Sequence, residues 1–397
     1  QIPLLMLRPW LPEGLNPDGS VSADYQFEQR GGKPVANATV RLSDGSITLR
    51  GEKGKPETVR YSNARADLTL NDRQLEGKAQ ADLSGYGTLR ADGGLTLSPQ
   101  DGNHRINARL AATLPDIAWL ERFSSQIEQL QGNITADLQI TGALSKPNVA
   151  GTVRLANGQV HLPEAGVTLE AINAVMQASG SDRATLTGSL RAGQGVLNAN
   201  GTLSLADLAR WRADVSLQGD NLKLMDTHEV QAWFSPRLQF QVSPGSVAVT
   251  GDVVIPQATV NLREIPPSAS VRSSDVIIVG RRAAPRPTGV LVKDAPLDIQ
   301  PNVSITLGDK VKFNGFGLDA RLEGKLRVLR TRQDIVAEGV LSVVDGVYKA
   351  YGQNLAIERG RLLFNGALDN PGLGVRAVRE VDGGDIKVGM ALAGTVR

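Results

Sequence analysis

Between Gly132 and Leu162 the chain reads GNITADLQITGALSKPNVAGTVRLANGQVHL. Ile134, Ala136, Leu138 and Ile140 alternate with Thr135, Asp137, Gln139 and Thr141. Successive side chains of a strand point to opposite faces, so a period of two gathers the apolar ones on one side. Gly142 and the cluster Ser145-Lys146-Pro147-Asn148 then turn the chain. Val149, Gly151, Val153 and Leu155 predict a second one-sided strand. Asn157-Gly158 tolerates the positive φ angles of a tight hairpin, so a turn is expected there before Val160 and Leu162 begin a return strand.

The same alternation fills most of the chain. Ala38, Val40 and Leu42 predict a hairpin with Ile47 and Leu49 through Ser43-Asp44-Gly45-Ser46. Ala66, Leu68 and Leu70 are expected to pair with Leu75, Ala79 and Ala81 across Asn71-Asp72-Arg73, and Asp92-Gly93-Gly94 reads as a further turn. Toward the C-terminus, Leu322, Leu326 and Val328 turn through Arg330–Asp334 into Leu341 and Val343. Asp345-Gly346, Glu358-Arg359-Gly360-Arg361 and Asp369-Asn370-Pro371 read as turns, with Leu362 and Phe364 between the last two and Val388 and Leu392 in a final strand. This density implies roughly 25 to 35 strands. A sheet so large must hide its apolar face, by folding into a sandwich, coiling into a solenoid or curling into an open trough.

Four stretches depart from the pattern. From Pro115 to Gln131, Ile117, Leu120, Phe123, Ile127 and Leu130 recur three or four apart, with Asp116 before them and Gly132 just after. That spacing predicts an amphipathic helix that caps one edge of the sheet; a shorter helical turn is expected around Ala206–Trp211. Residues 264–300 hold Pro266-Pro267, several serines, Arg281-Arg282, Pro285 and Pro287, and read as a linker. Residues 1–35 contain few clear strands. The expected organisation is therefore β-repeats over 1–114, a helix over 115–131, β-repeats over 132–263, a linker over 264–300 and β-repeats over 301–397.

Composition narrows the function. The 397 residues carry a net charge of +2, so the chain as a whole is no polyanion binder. Aromatic residues are only 4%, so the apolar faces are built from Leu, Val, Ile and Ala, and 43 glycines suit many turns and bulges. The absence of cysteine removes disulfides, thiolate metal sites and Cys nucleophiles. Gln1–Arg8 has no basic leader and too short an apolar run for a signal peptide or a spanning helix. The pattern starts and stops in mid-repeat, as expected of a segment of something longer.

No constellation for catalysis emerges. His104, His161 and His228 fall in separate repeats without a second ligand at metal spacing. No Gly-x-Ser-x-Gly elbow occurs, and Gly85-Tyr86-Gly87 is not followed by a helix. Arg281, Arg282 and Arg286 read as a solvated basic loop, and Trp119 and Trp233 as packing residues. The expectation is a non-enzyme without metal or cofactor.

The unit Gly-x-Leu-x-x-Pro-x-x-x-Gly-x-Val-x-Leu-x-Asn-Gly at 142–158 resembles the repeat of the AsmA-like envelope proteins, a family within the bridge-like lipid-transfer superfamily. The segment from Leu355 to Pro371, LAIERGRLLFNGALDNP, is similar to the C-terminal domain shared by inner-membrane subunits of the translocation and assembly module. The resemblance implies an all-β fold: an elongated, curled, mostly antiparallel sheet, called a β-taco, forming an open trough with an apolar interior. It implies a periplasmic segment of an inner-membrane-anchored protein, acting with the outer-membrane barrel protein TamA in outer-membrane biogenesis. The groove would conduct phospholipids between the two membranes and support assembly of autotransporters and other outer-membrane β-barrel proteins. The alternative is a chaperone or scaffold that templates the strands of those clients without moving lipid. The expected groove lining is Leu138, Ile140, Val153 and Leu155, then Leu322, Leu326, Val328, Leu341, Val343, Leu362, Phe364, Val388 and Leu392.

Overall fold

The computed structural model describes residues 2–4, 16–50, 56–98, 102–124, 126–180, 183–204, 211–262, 298–315, 317–331, 334–350, 352–368, 370–381 and 386–395. Among these there are twenty-four strands and almost no helix. The expected all-β, mostly antiparallel sheet is what forms, and the chain divides into two compact units.

The first unit comprises Gln1–Thr227 with Trp233–Pro244. It opens with β1 (Ile2–Pro3), β2 (Asn16–Asp18), β3 (Ser20–Arg30), β4 (Lys33–Leu42), β5 (Gly45–Arg50) and β6 (Pro56–Asn71). Next come β7 (Gln74–Leu83), β8 (Gly87–Thr96), β9 (Arg105–Leu114), β10 (Glu128–Ala143) and β11 (Lys146–Leu162). The unit closes with β12 (Val167–Ser179), β13 (Arg183–Ala192), β14 (Gly195–Ser204), β15 (Arg212–Asp220), β16 (Leu222–Asp226) and most of β17 (Val230–Ser243). From β6 to β15 each strand pairs antiparallel with the next, and β15 then pairs with β17.

The described part of residues 1–35 is more regular than expected, since β3 runs for 11 residues and pairs with β4 from Val21 to Arg30. The hairpin expected through Ser43–Ser46 does not form. Strands β4 and β5 instead lie end to end along one long partner, β6, whose first half pairs with β5 and second half with β4. Tyr61 of β6 sits at the junction, its hydroxyl donating to the Asp18 carbonyl at 2.9 Å. Leu4, Tyr61 and Ala64 make a small buried cluster there.

Asn157-Gly158 is not a turn either. Strand β11 runs through it to Leu162, and the positive φ of Asn157 (53°) serves a bulge, with the register against β12 shifting between Leu155 and Gly158. A bulge and a tight turn ask for the same left-handed residue, so local sequence does not distinguish them. Here continued pairing with β10 and β12 selects the bulge, and the chain turns only at Pro163–Gly166. Asp92-Gly93-Gly94 likewise lies within β8.

The helix expected over 115–131 is absent. Ala118–Phe123 forms a single 3-10 segment without a side-chain cap, and strand β10 has begun by Glu128. Pairing to β11 at Glu128 and Gln131 outweighs the helical spacing of Ile127 and Leu130. The segment does cap the sheet edge: Ile117 is buried, Trp119 packs on Tyr86 with ring centroids 5.5 Å apart, and the Leu130 amide donates to the Glu121 carboxylate. The helical turn expected at Ala206–Trp211 falls mainly outside the described residues.

The second unit comprises His228–Ala232 with Gly245–Arg397. Its strands are β18 (Ser246–Leu262), β19 (Asp298–Gly315), β20 (Leu318–Arg330), β21 (Ile335–Ala350), β22 (Gln353–Ala367), β23 (Gly372–Val381) and β24 (Ile386–Thr395). Strands β19 to β24 form a meander in which each strand pairs antiparallel with the next, whereas β18 and β19 pair in parallel. Parallel neighbours need a long crossover, and the residues between these two strands are those expected as a linker. Residues 263–297 lie outside the described residues, and β19 takes 298–300 from the expected linker. The turns expected at Asp345-Gly346 and Glu358–Arg361 are continuous strand in β21 and β22.

Candidate functional site

Strand register turns the alternation of single strands into a surface. In the first unit Ala23, Val40, Ala66, Ala79, Ala91 and Leu110 stand side by side on β3, β4 and β6 to β9. The row continues through Leu138, Gly151, Ala178, Ala184, Leu203, Ala213 and Val242 on β10 to β15 and β17. No polar residue interrupts it. With neighbouring strands about 4.8 Å apart, these twelve steps extend for about 58 Å across the sheet.

Two further rows flank it. One passes from Ala81 through Ala136, Val153, Met176 and Val215 to Phe240. The other passes from Leu114 through Ile134, Leu155, Ala199 and Leu217 to Leu238. Ile140 lies between Ala108 and Val149 on the same face. Leu138, Ile140, Val153 and Leu155 therefore share one surface, as the alternation anticipates.

The second unit repeats the arrangement. Val253, Ile305, Leu326, Gly339 and Phe364 form one row, and Val328 lies between Val303 and Ala337 in the next. Gly324, Leu341, Leu362 and Leu373 align beside Leu322, Val343, Gly360, Val375 and Leu392. Val388 is the exception in its surroundings: its register partner is Arg379, so it stands where the apolar stripe ends.

This face is open. Leu89 and Leu110, in the middle of the first unit, are 40% and 38% exposed, and Val388 and Leu392 are more than half exposed. Leu138, Val153, Leu326 and Phe364 are half-buried, and only Leu341 of the expected lining is buried. A second layer packed on the face would bury such side chains completely.

In the first unit the two rims of the face differ. Apart from Ala178 and Ala184, the buried apolar side chains gather along the rim where β10 begins and β11 ends. The Tyr61 cluster lies on this rim, as does Ile117 against Gly132. Further along it are Val160, Val167, Ala192 and the completely buried Leu222. Strand β16 crosses the ends of β12 to β14 there as a strap, tied by Asp226 N–H to the Ala165 carbonyl at 2.8 Å. Lys223 pairs with Asp226 at 2.6 Å and lies over the Trp233 ring at 5.4 Å. Nothing in the alternation predicts this strap; its trace is glycine at 166, 193 and 219, where a Cβ would crowd Asp226, Lys223 or Leu222. The opposite rim carries hairpin turns, with Leu144 48% exposed.

The other face is polar and held by exposed ion pairs. Arg65 donates to Asp67, which also accepts from Thr39, and Arg109 donates to Asp137. Hydrogen bonds from Arg65 and Arg109 hold the carboxyls of Asp67 and Asp137 below the ordinary carboxylate range. A depression of about 770 Å³ lies over this face, lined by Asp67, Lys78, Asp92, Asn107 and Gln139, where Gly94 leaves a gap between Glu76 and Asn107. It does not coincide with the expected groove lining. Among the described residues no group of His, Cys, Asp and Glu could hold a metal ion, and no helix is long and apolar enough to cross a membrane. His104 accepts from the Ser98 amide at 3.1 Å, and His161 is 3.1 Å from the Thr168 hydroxyl. Arg281, Arg282 and Arg286 lie outside the described residues.

Fold and surface together define a class: an all-β protein whose units are open sheets, each with an apolar face left uncovered. The chain belongs to the TamB family. The family model for the TamB C-terminal domain matches residues 182–397, and that for the TamB N-terminal domain matches residues 1–155. The translocation and assembly module subunit TamB of Haemophilus influenzae is 23% identical over 320 residues, covering 79% of this chain and 24% of the relative. The chain thus spans about a quarter of the length of the curated relative it matches.

Proposed function

We propose that this chain is a periplasmic segment of a translocation and assembly module subunit whose apolar face carries the acyl chains of phospholipids between the inner and outer membranes. The observation that supports this is the set of uninterrupted apolar rows across the first unit, left without a covering layer. Two sixteen-carbon tails expose about 32 methyl and methylene groups to water, at roughly 0.8 kcal/mol each. The sum, about 25 kcal/mol, would limit unaided transfer to roughly 10⁻⁶ events per second. A surface that keeps the tails covered along the route lowers that barrier without a catalytic residue. Leu, Val and Ala suit disordered chains because they impose no fixed geometry. Leu326, Leu341, Leu362 and Phe364 serve the same role in the second unit, and TamA is the outer-membrane partner.

Native mass spectrometry of the chain purified from membranes tests this reading. Phospholipid adducts are expected, and a bare protein mass after incubation with phospholipid would overturn it.

A second reading is assembly of autotransporters and other outer-membrane β-barrel proteins by strand templating. It is favoured by β24, whose Val388, Met390 and Leu392 are exposed on a strand paired only with β23 among the described residues. Crosslinks from β24 to an unfolded barrel client, with none from Leu138 or Leu326 to lipid, would select it.

A further inference from the structure

The longest apolar row of the first unit has Leu138 at its middle, with six strands on either side of β10. Side-chain size is patterned about that strand. In three successive rows β9 presents Ala108, Leu110 and Ala112, and β11 presents Val149, Gly151 and Val153. Where one flank is small the other is large, in all three rows. Two strands out, Leu89 and Ala91 of β8 correspond to Met176 and Ala178 of β12, so a large pair adjoins a small one. Three strands out, Ala81 of β7 corresponds to Leu186 of β13. Four strands out, Ala66 of β6 corresponds to Leu203 of β14.

A face with this pattern is complementary to itself. A half-turn about an axis lying in the face along β10 sets β9 of one copy over β11 of the other, and the reverse, as in any isologous contact. Leu110 then enters the space over Gly151, while Val149 and Val153 fill the spaces over Ala108 and Ala112. Leu138 meets its own twin at the axis. Twisted sheets pack face to face with strand directions within about 30° of each other, which an axis close to β10 provides. Leu89 and Leu110, 40% and 38% exposed in the single chain, come to lie inside the contact.

The area is sufficient. Strands β7 to β13 at about 4.8 Å apiece, crossed by the four rows of Ile134, Ala136, Leu138 and Ile140 about 6.8 Å apart, make about 900 Å² on each copy. An interface of standard size takes about 800 Å² from each partner. Among the described residues these rows hold no polar side chain over β7 to β13, so the contact strands no polar side chain without a partner.

We propose that the lipid-free chain pairs with a second copy of itself, the apolar faces of two first units packed about a two-fold axis along β10. The size pattern and the area carry this, independently of the lipid-carrying reading. Lipid and a second copy claim the same rows, so the pair is the form of the unloaded chain.

Sedimentation of the purified, delipidated chain at tens of micromolar tests it, and a dimer is expected. Leu138→Arg and Leu138→Asp should each weaken association about a hundredfold, because two like charges then meet at the axis. An equimolar mixture of the two variants should restore the dimer as a heterodimer. The chain has no cysteine, so Leu138→Cys introduces a single thiol. A short bismaleimide should join that thiol to its twin, since facing sheets lie about 10 Å apart. Thr152→Cys, on the polar face, should not be joined. Circular dichroism checks that the strands persist, and the cysteine variants keep the test decisive if the charged ones unfold. A parent that sediments as a monomer overturns the pairing and leaves the lipid-carrying reading standing. A folded Leu138→Arg chain that remains dimeric, arginine and aspartate variants that fail to pair, or Thr152→Cys crosslinking as readily as Leu138→Cys, overturns the two-fold along β10.

Discussion

Leu138→Arg places a charge in the middle of the longest apolar row, between Leu110 and Gly151. An acyl chain lying along that row crosses one strand every 4.8 Å or so. With carbon–carbon bonds of about 1.5 Å in a zigzag, about four methylenes lie over each strand. Each contributes about 0.8 kcal/mol when fully withdrawn from water and about half that on an open face, so the contact over one strand contributes about 1.6 kcal/mol. A guanidinium forces the chain to forgo it, and affinity for a fluorescent phospholipid should fall about fifteenfold. The fold should survive, because Leu138 is half-buried and the arginine stem can lie along the same surface. Thr152→Arg is the matched control: it adds the same charge to the adjacent strand on the polar face, between Asp137 and Gln177, and should leave affinity unchanged. Fluorescence titration of parent and both variants reads the difference. If Leu138→Arg binds within twofold of the parent, or Thr152→Arg loses as much, the apolar rows do not carry the lipid.

Gly339→Ala should destabilise the second unit by about 1–3 kcal/mol in denaturant unfolding, since Gly339 has φ 138° and a Cβ there would lie 2.2 Å from the Lys325 carbonyl. Tyr61→Phe removes the bond to the Asp18 carbonyl and should cost about 1 kcal/mol. Burial first, then Asp18 and Asp44, raise the Tyr61 hydroxyl above its ordinary 10.0. Its contribution is therefore complete below pH 10 and lost as pH rises through the folded value, so the parent should weaken in strong alkali more than the variant does. The depressed carboxyl of Asp137 acts in the opposite direction: its stabilising effect is present above the ordinary carboxylate value and lost as acid titrates the folded form. In Arg109→Met, NMR titration should find the Asp137 carboxyl returned upward toward its ordinary value, with little change in stability because the pair is exposed.

The alternation of single strands was enough to place Leu138, Val153, Leu326 and Phe364 on one face in their units, because period two admits no other arrangement once neighbours pair in register. What the period leaves out is where a strand stops. Asn157-Gly158, Asp345-Gly346 and Glu358–Arg361 have the composition of turns, yet long partners on both sides carry the strand through them. The end-to-end arrangement of β4 and β5 depends on the length of β6, and the strap β16 depends on three strand ends meeting; both are tertiary facts with no local signature. The helical spacing at 117–130 was genuine, but a segment of that length gains little from propensity alone, and its second half gains a pairing partner in β11.

An uncovered apolar face of this size is costly in water. Monomeric proteins seldom expose contiguous apolar patches beyond a few hundred Å², and three rows crossing the first unit exceed that. Such a face would ordinarily be eliminated by packing a second layer on it, and the chain has the means: it places the 3-10 segment Ala118–Phe123 and the strap β16 over one rim and buries Ile117 and Leu222 beneath or beside them. It does not extend that cover across the rows. A face covered along one rim alone stays open to an apolar chain from the other, and the uncovered rows are where such a chain would lie.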